Sequence, residues 1–269
     1  MGSDGSIYKK LRFEALRGIP NPEISRLFIR ILADVMEIQV ILENLDKIPR
    51  GSFVLIDGNL YGRYTHITKE LPIEGWEGIP LMIYEAIQSL LKASRERGFT
   101  VIGVSKHSKT RALCHALLRG MGYRVKGKMY GIPDSEMIFR WARFSTPGYS
   151  TPLILGNYAI YGRDMDEMIN RPEAFVKRYF PSLSRDEKKR GAEIVGEIPN
   201  TTAIVMFHLL PAWGDLSLRI DVPAFTLGLR DRIRDVKPFR FCDPELVEGI
   251  VRRLLADRGG RDVYNALLY

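Results

Sequence analysis

Two acidic residues in apolar surroundings are the first candidates for chemistry. Asp57 closes the apolar run "FVLI", and Gly58 after it allows a sharp turn of the backbone. Glu37 lies in the mostly apolar stretch "ILADVMEIQVILENL", with Asp34 one turn earlier as the rival acid. Carboxylates are the ligands that Mg²⁺ and Mn²⁺ prefer, and a phosphodiesterase needs two or three of them together. The alternatives are an ordinary Asp-Gly turn for Asp57 and an arginine salt bridge for Glu37.

Cationic residues follow the strand predicted from "FTVIGVSK". Lys106 ends that strand, and Lys109 and Arg111 come directly after it. If the two strands are parallel, these cations lie at the same sheet edge as Asp57 and can stabilise charge on a phosphate. Lys109, Arg111 and Arg63 are candidates for holding a nucleic-acid strand, although a loop with three cations is often only solvated surface. The four histidines show no metal-ligand spacing.

The elements that position these residues follow from hydrophobic periodicity. A helix is predicted from Pro22, then the "SFVLI" strand, and then a second helix ending at Gly98. The strand "FTVIGVSK" and the helix "TRALCHALLRGMG" complete a β-α-β-α-β rhythm that begins with a strand before Pro20. This rhythm predicts an α/β sheet with helices packed on it.

The second half of the chain is less regular. "STPLILGNYAIYG" predicts a strand, a turn and a strand, and residues 170–191 predict helix and surface loop. "TTAIVMFHLLP" and "LSLRIDVPAF" predict a pair of strands, and a final helix should begin at Pro244 with Asp243 as its cap. Without a visible linker or repeat, one mixed α/β domain is preferred over two.

Composition sets the remaining limits. The 269 residues carry 40 Lys and Arg against 32 Asp and Glu, a net charge of +8 with a pI near 9.4, as in a nucleic-acid-binding domain or a generally basic protein. Cys114 and Cys242 are too few for a disulfide framework. With no long apolar run and no secretion signal at the N-terminus, a cytoplasmic protein without a membrane span is the default expectation.

Several ordered blocks of this chain resemble the NurA family of archaeal and bacterial nucleases. They are "FVLIDGNL", "FTVIGVSKHSKTRAL", "PDSEMIFRWARFSTPGYSTPLIL" and "LSLRIDVPAF", and the resemblance runs from about Ile24 to the C-terminus. It implies a ribonuclease-H-like mixed sheet with flanking helices, a homodimer, Mn²⁺ or Mg²⁺ as cofactor, and partnership with the HerA helicase in resecting DNA ends.

The resemblance also implies a set of site residues. Asp57 matches the family's second aspartate, Glu37 its helical glutamate, Lys106 the lysine of its next strand end, and Tyr264 its C-terminal tyrosine. Asp4 is the candidate for the first aspartate, although no apolar strand precedes it. The family's C-terminal histidine would follow the last residue of this chain. A single domain over 1–269 is therefore expected, without the family's first strand and last segment.

The resulting hypothesis is a metal-dependent DNA nuclease in double-strand break repair, of the 5′–3′ exonuclease and single-strand endonuclease type. Asp57 and Glu37 would hold the metal and Lys106 would stabilise the developing charge. The alternative is a non-catalytic NurA-like subunit that binds DNA or a HerA-type motor without cutting. A third possibility is a ribonuclease-H-like enzyme that acts on RNA.

Overall fold

The computed structural model describes most of the chain between residues 22 and 256. The described ranges are 22–63, 70–106, 108–125, 131–142, 147–157, 162–211, 216–236 and 240–256. Of the sequence-based predictions, the strand before Pro20, most of the second strand of "STPLILGNYAIYG", Asp4 and Tyr264 lie outside these ranges.

The described chain divides into two compact units whose segments alternate along the sequence. The helical unit contains the described residues of 22–52, 62–99 and 162–199. The sheet unit contains those of 53–61, 100–157 and 200–256. Nothing in this division tests the expectation of a single domain, which stays a prediction.

Nine α-helices lie in the described residues. They are α1 (Pro22–Glu43), α2 (Leu60–Arg63), α3 (Ile79–Arg97), α4 (Ala112–Gly120), α5 (Asp134–Ala142), α6 (Gly162–Asn170), α7 (Pro172–Tyr179), α8 (Arg185–Glu197) and α9 (Glu245–Ala256). Helix α3 ends as predicted at Gly98, which adopts the left-handed conformation at φ 74°. Helix α9 is capped as predicted, because the Glu245 N–H donates to Asp243 Oδ1 at 3.0 Å.

Seven strands of the described chain form one mixed sheet in the sheet unit, with order β1-β2-β6-β5-β4-β7 and β3 also paired to β5. Only β1 and β2 pair in parallel. The predicted pair of strands is confirmed as the antiparallel β5–β6 ladder. The strands are β1 (Phe53–Asp57), β2 (Thr100–Ser105), β3 (Gly148–Tyr149), β4 (Leu153–Leu155), β5 (Ile204–Leu210), β6 (Leu218–Pro223) and β7 (Arg240–Phe241).

The predicted class, a mixed α/β sheet with flanking helices, is confirmed. The core of the sheet unit joins alternate apolar residues of β2, β5 and β6 to Val247, Ile250 and Val251 of α9. In the helical unit, α1 contacts α3, α3 contacts α8, and α8 contacts α6 and α7. Along the described chain, no helix is both long and apolar enough to cross a bilayer.

Candidate metal and nucleic-acid site

Asp57 lies exposed at the carboxyl end of β1. It is in register with Val104 of the parallel strand β2. The chain turns at Gly58, whose φ is 93° and whose N–H donates to Val104 O at 2.8 Å. The Asp57 carboxylate therefore sits at a sheet edge on a turn fixed to the neighbouring strand, and it faces water.

The turn after Asp57 is held by residues of the same unit that sequence reasoning missed. It passes directly over Gly103 of β2, where an added Cβ would lie 2.8 Å from Gly58 O and from Leu60 N. The Tyr61 N–H donates to Asp221 Oδ2 at 3.0 Å, and the Tyr61 hydroxyl donates to Gly156 O at 2.9 Å. Even alanine at position 103 would displace this turn, since both atoms that its Cβ would meet belong to the backbone.

Asp221 itself is neutralised within its own strand. Arg219 Nε donates to Asp221 Oδ1 at 2.7 Å, and Arg219 Nη2 donates to Oδ2 at 3.0 Å. Both side chains are buried, so this bidentate contact satisfies a carboxylate that would otherwise be costly to bury. The signal was available in "LSLRIDVPAF", where an Arg and an Asp two positions apart lie on one face of an apolar strand.

Three predicted cations follow β2, at the sheet edge that also carries Asp57. Lys106 is half-buried and Lys109 is exposed. Arg111 Nε donates to Gly131 O at 2.9 Å, which ties this loop to the segment before α5. The parallel register of β1 and β2 places Lys106, directly after β2, at the edge that carries Asp57, whereas the roles of Lys109 and Arg111 stay predictions.

In the helical unit, Asp34 and Glu37 of α1 converge on one nitrogen. Arg63 Nη2 lies 2.9 Å from Asp34 Oδ1 and 2.6 Å from Glu37 Oε2. Two expectations need correction here. The apolar stretch around Glu37 indicates a buried carboxylate, but Glu37 is 34% exposed and makes the arginine salt bridge that was the alternative. Arg63 is only 4% exposed and holds these two acids, so it is not the surface cation that a grip on a nucleic-acid strand requires.

A similar arrangement, with one arginine between an Asp and a Glu, occurs a second time in the helical unit. Arg178 Nη2 lies 2.7 Å from Asp164 Oδ1, and Arg178 Nη1 lies 3.0 Å from Glu167 Oε1. Asp164 and Glu167 are three positions apart on α6, as Asp34 and Glu37 are on α1. An arginine that pairs with an Asp and a Glu three positions apart can therefore be a purely structural ion pair in this fold, without a role in metal binding.

Each unit carries carboxylates of the kind that a divalent cation prefers. In the helical unit, Asp34 and Glu37 present hard oxygen ligands around a point held by the Arg63 guanidinium. In the sheet unit, Asp57 presents a carboxylate at the start of a tightly held turn. Within the part of the chain that the structure describes, no group of three or more Asp, Glu, His or Cys side chains could hold a metal ion. The first of the predicted ligands, Asp4, lies outside that part, so the predicted ligand set stays a prediction.

The fold and the site define a mixed α/β protein with an exposed carboxylate and a lysine at the end of its one parallel strand pair among the described strands. Comparison with known proteins identifies the family. The NurA domain profile matches residues 3–195, so the chain belongs to the NurA family, a nuclease family. The match includes Asp4, Glu37, Asp57 and Lys106 and ends before Tyr264.

No curated protein sequence matches the chain significantly. Among solved structures, the crystal structure of the NurA nuclease from Sulfolobus solfataricus is similar over 90% of this chain and 69% of that chain. The two are 13% identical, with a TM-score of 0.43. A likeness at this level transfers no residue roles, and the family profile alone carries the identification.

Proposed function

We propose that this protein is a divalent-metal-dependent DNA nuclease. The observation that carries the proposal is Asp57, an exposed carboxylate on a turn fixed by Gly103, Tyr61 and Asp221, in a chain of a nuclease family. A ligand that is held rigidly loses little conformational entropy when it binds a cation. Its exposure makes the carboxylate accessible from solvent, as a ligand of a metal that acts on DNA must be.

Each candidate residue has a role in this proposal. Asp57 and Glu37, with Asp34 as rival to Glu37 and Asp4 as a further ligand, would hold Mn²⁺ or Mg²⁺. When bound, such a cation supplies Lewis-acid activation of water and neutralises the scissile phosphate. Lys106 would stabilise the negative charge that develops on the phosphate, since it follows the strand next to Asp57.

The remaining roles concern the DNA strand and the C-terminal tyrosine. Lys109 and Arg111 would contact the DNA backbone, through charge that is independent of base sequence. Tyr264 would complete the site from the C-terminal segment. The family resemblance further supports a homodimer, 5′–3′ exonuclease and single-strand endonuclease activity, and work with a HerA-type helicase in end resection and repair in the cytoplasm.

The test is Mn²⁺-dependent degradation of single-stranded DNA and end-labelled duplex DNA. Asp57→Asn should reduce the rate by about 100-fold or more, because even residues that only support metal ligands cost about 10- to 100-fold. Glu248→Gln is the control: its carboxylate is half exposed on α9 and pairs with Arg252, and its rate should match the wild type. Equal rates for Asp57→Asn and wild type, or activity that survives EDTA, would contradict the proposal.

A non-catalytic NurA-like subunit is the second candidate. Two observations favour it: Arg63 already neutralises Asp34 and Glu37, and the same arrangement at Arg178 is explained without a metal. Calorimetry separates the two. Mn²⁺ uptake that Glu37→Gln abolishes supports the enzyme, whereas no uptake by the wild type supports a subunit that binds without cutting.

A further inference from the structure

The connection between β2 and β3, residues 106–147, is strongly basic. It contains nine Lys and Arg residues and only two acidic residues, Asp134 and Glu136. The cations are Lys106, Lys109, Arg111, Arg119, Arg124, Lys126, Lys128, Arg140 and Arg143. Positive charge of this density is the electrostatic signature of a phosphate-backbone contact.

The two acids offset little of the charge of the nine cations. Asp134 is fully buried and caps α4: its Oδ2 accepts the Leu113 N–H at 3.0 Å and its Oδ1 accepts the Cys114 N–H at 2.8 Å. Glu136 forms an exposed i,i+4 pair with Arg140 and so offsets one cation, through a contact that contributes little to stability. Nine cations and two acids leave the connection with a formal net charge of +7.

Large apolar side chains are exposed on the same connection. It supplies four of the nine exposed large hydrophobic residues of the described chain, Met121, Tyr123, Phe139 and Trp141. Trp141 is 70% exposed, Tyr123 58% and Phe139 41%. A core residue would not be left so open, and Trp is rarely exposed to this extent without a partner.

Aromatic and arginine residues alternate in two exposed stretches. The last turn of α5 reads Phe139, Arg140, Trp141, and the segment 119–124 after α4 places Met121 and Tyr123 between Arg119 and Arg124. Helices α4 and α5 contact each other, and Asp134 joins their first turns. We call residues 119–124 and 139–141 the aromatic–arginine stretches.

We propose that the aromatic–arginine stretches form a docking surface for single-stranded DNA. Aromatic rings stack on unpaired bases of any sequence, while neighbouring arginines contact the phosphates. A duplex hides its base faces, so it can use the arginines but not the rings. This deepens the proposed function, on which the identification of the ligand as DNA rests, by naming the surface that would hold the strand.

The test measures binding without cleavage. Fluorescence anisotropy of a labelled oligo-dT about 20 nucleotides long is recorded with the full chain in EDTA. Trp141→Ala should weaken binding by about 5- to 150-fold, the loss expected for one stacked base, and Trp141→Phe should retain most of the affinity. Phe241→Ala is the matched control, since Phe241 is 38% exposed beside Arg240, which pairs with Asp231 at 2.7 Å.

Arg140→Gln tests the charge separately from the rings. Its affinity should fall less steeply with salt, with the slope of log affinity against log salt smaller by about 0.7, the value for one phosphate contact on a single strand. An unchanged slope would overturn the role given to this arginine. The far-UV circular dichroism of all variants should match the wild type, because each changed side chain is exposed.

Three results would overturn the proposal. The first is an unchanged oligo-dT affinity in Trp141→Ala. The second is a loss of equal size on blunt duplex DNA. The third is a change of oligomeric state in Trp141→Ala with DNA affinity unaltered, which would assign this face to a second copy of the chain. Since the assay needs no divalent metal, a protein that binds but does not cut contradicts only the proposed nuclease function.

Discussion

The Arg63→Gln variant distinguishes two explanations of the Asp34–Glu37 pair, a structural ion pair and a metal site. In the wild type, one guanidinium serves Asp34 and Glu37 at 2.9 and 2.6 Å. Removing one member of a fully buried pair costs about 3–5 kcal/mol, and of an exposed pair about 0–1 kcal/mol. Because Arg63 is buried while Glu37 is 34% exposed, we expect Arg63→Gln to lower the free energy of unfolding in EDTA by about 1–3 kcal/mol.

The assay is thermal unfolding followed by circular dichroism, with EDTA and with Mn²⁺. A loss of about 1–3 kcal/mol lowers Tm by roughly 3–10 °C for a chain of this size. If Asp34 and Glu37 are ligands, Mn²⁺ takes over the neutralisation of both carboxylates once the arginine is gone. The Mn²⁺-induced rise in Tm should then be larger in Arg63→Gln than in the wild type.

Arg178→Gln is the internal control, because Arg178 makes the equivalent contacts with Asp164 and Glu167. It should lose a comparable amount of stability in EDTA, and Mn²⁺ should raise its Tm only as much as it raises that of the wild type. A Mn²⁺-induced gain in Arg63→Gln no larger than that in Arg178→Gln refutes the assignment of Asp34 and Glu37 as ligands.

Three further predictions use other contacts. Ser184→Ala removes the capping box of α8 and should lower the free energy of unfolding by about 0.5–2 kcal/mol at neutral pH. Hydrogen bonds from Ser184 hold the pKa of Glu187 below its ordinary value. The stability that they contribute is fully present above the ordinary pKa and is lost as pH falls through the lowered pKa. In urea unfolding, the difference in stability between wild type and Ser184→Ala should therefore shrink in acid. Burial raises the pKa of both cysteine thiols, so at pH 8 the folded protein should react with a thiol reagent far more slowly than the urea-unfolded chain. Gly103→Ala should weaken Mn²⁺ binding in calorimetry by displacing the turn after Asp57, whereas Gly120→Ala, where an added Cβ meets nothing within 4 Å, should not.

Much of the fold was predictable because its signals are local. Helices α1, α3, α4 and α9 and strands β1, β2, β5 and β6 follow from apolar periodicity together with caps such as Gly98 and Asp243. Helices α5 and α6 were not predicted, because each has only nine residues and no element was assigned to these segments from the sequence. The alternation of two compact units along the chain depends on contacts between distant segments, which periodicity does not report.

The candidate site also has features that local sequence predicts and contacts that it does not predict. The shared edge of Asp57 and Lys106 was predictable, because a β-α-β sequence implies parallel strands that end on one side. The partner of Glu37 is 26 residues away and the carboxylate that fixes Tyr61 is 160 residues away. No spacing rule reaches across such separations, so the ion pair with Arg63 could be stated only as a general alternative.

A comparison of Asp57 with the α1 acids shows which candidate ligand best supports the nuclease proposal. The Asp34–Glu37 pair has a structural counterpart at Asp164–Glu167, and an arginine alone accounts for either. The turn after Asp57 has no such simple explanation: it combines a glycine at positive φ, a strand glycine with no room for a Cβ, and a buried Arg219–Asp221 pair that receives a backbone N–H. Three independent constraints fix the backbone of the turn that follows this exposed carboxylate, which is more than an ordinary turn needs. Asp57 is therefore the residue on which the nuclease proposal should be tested first.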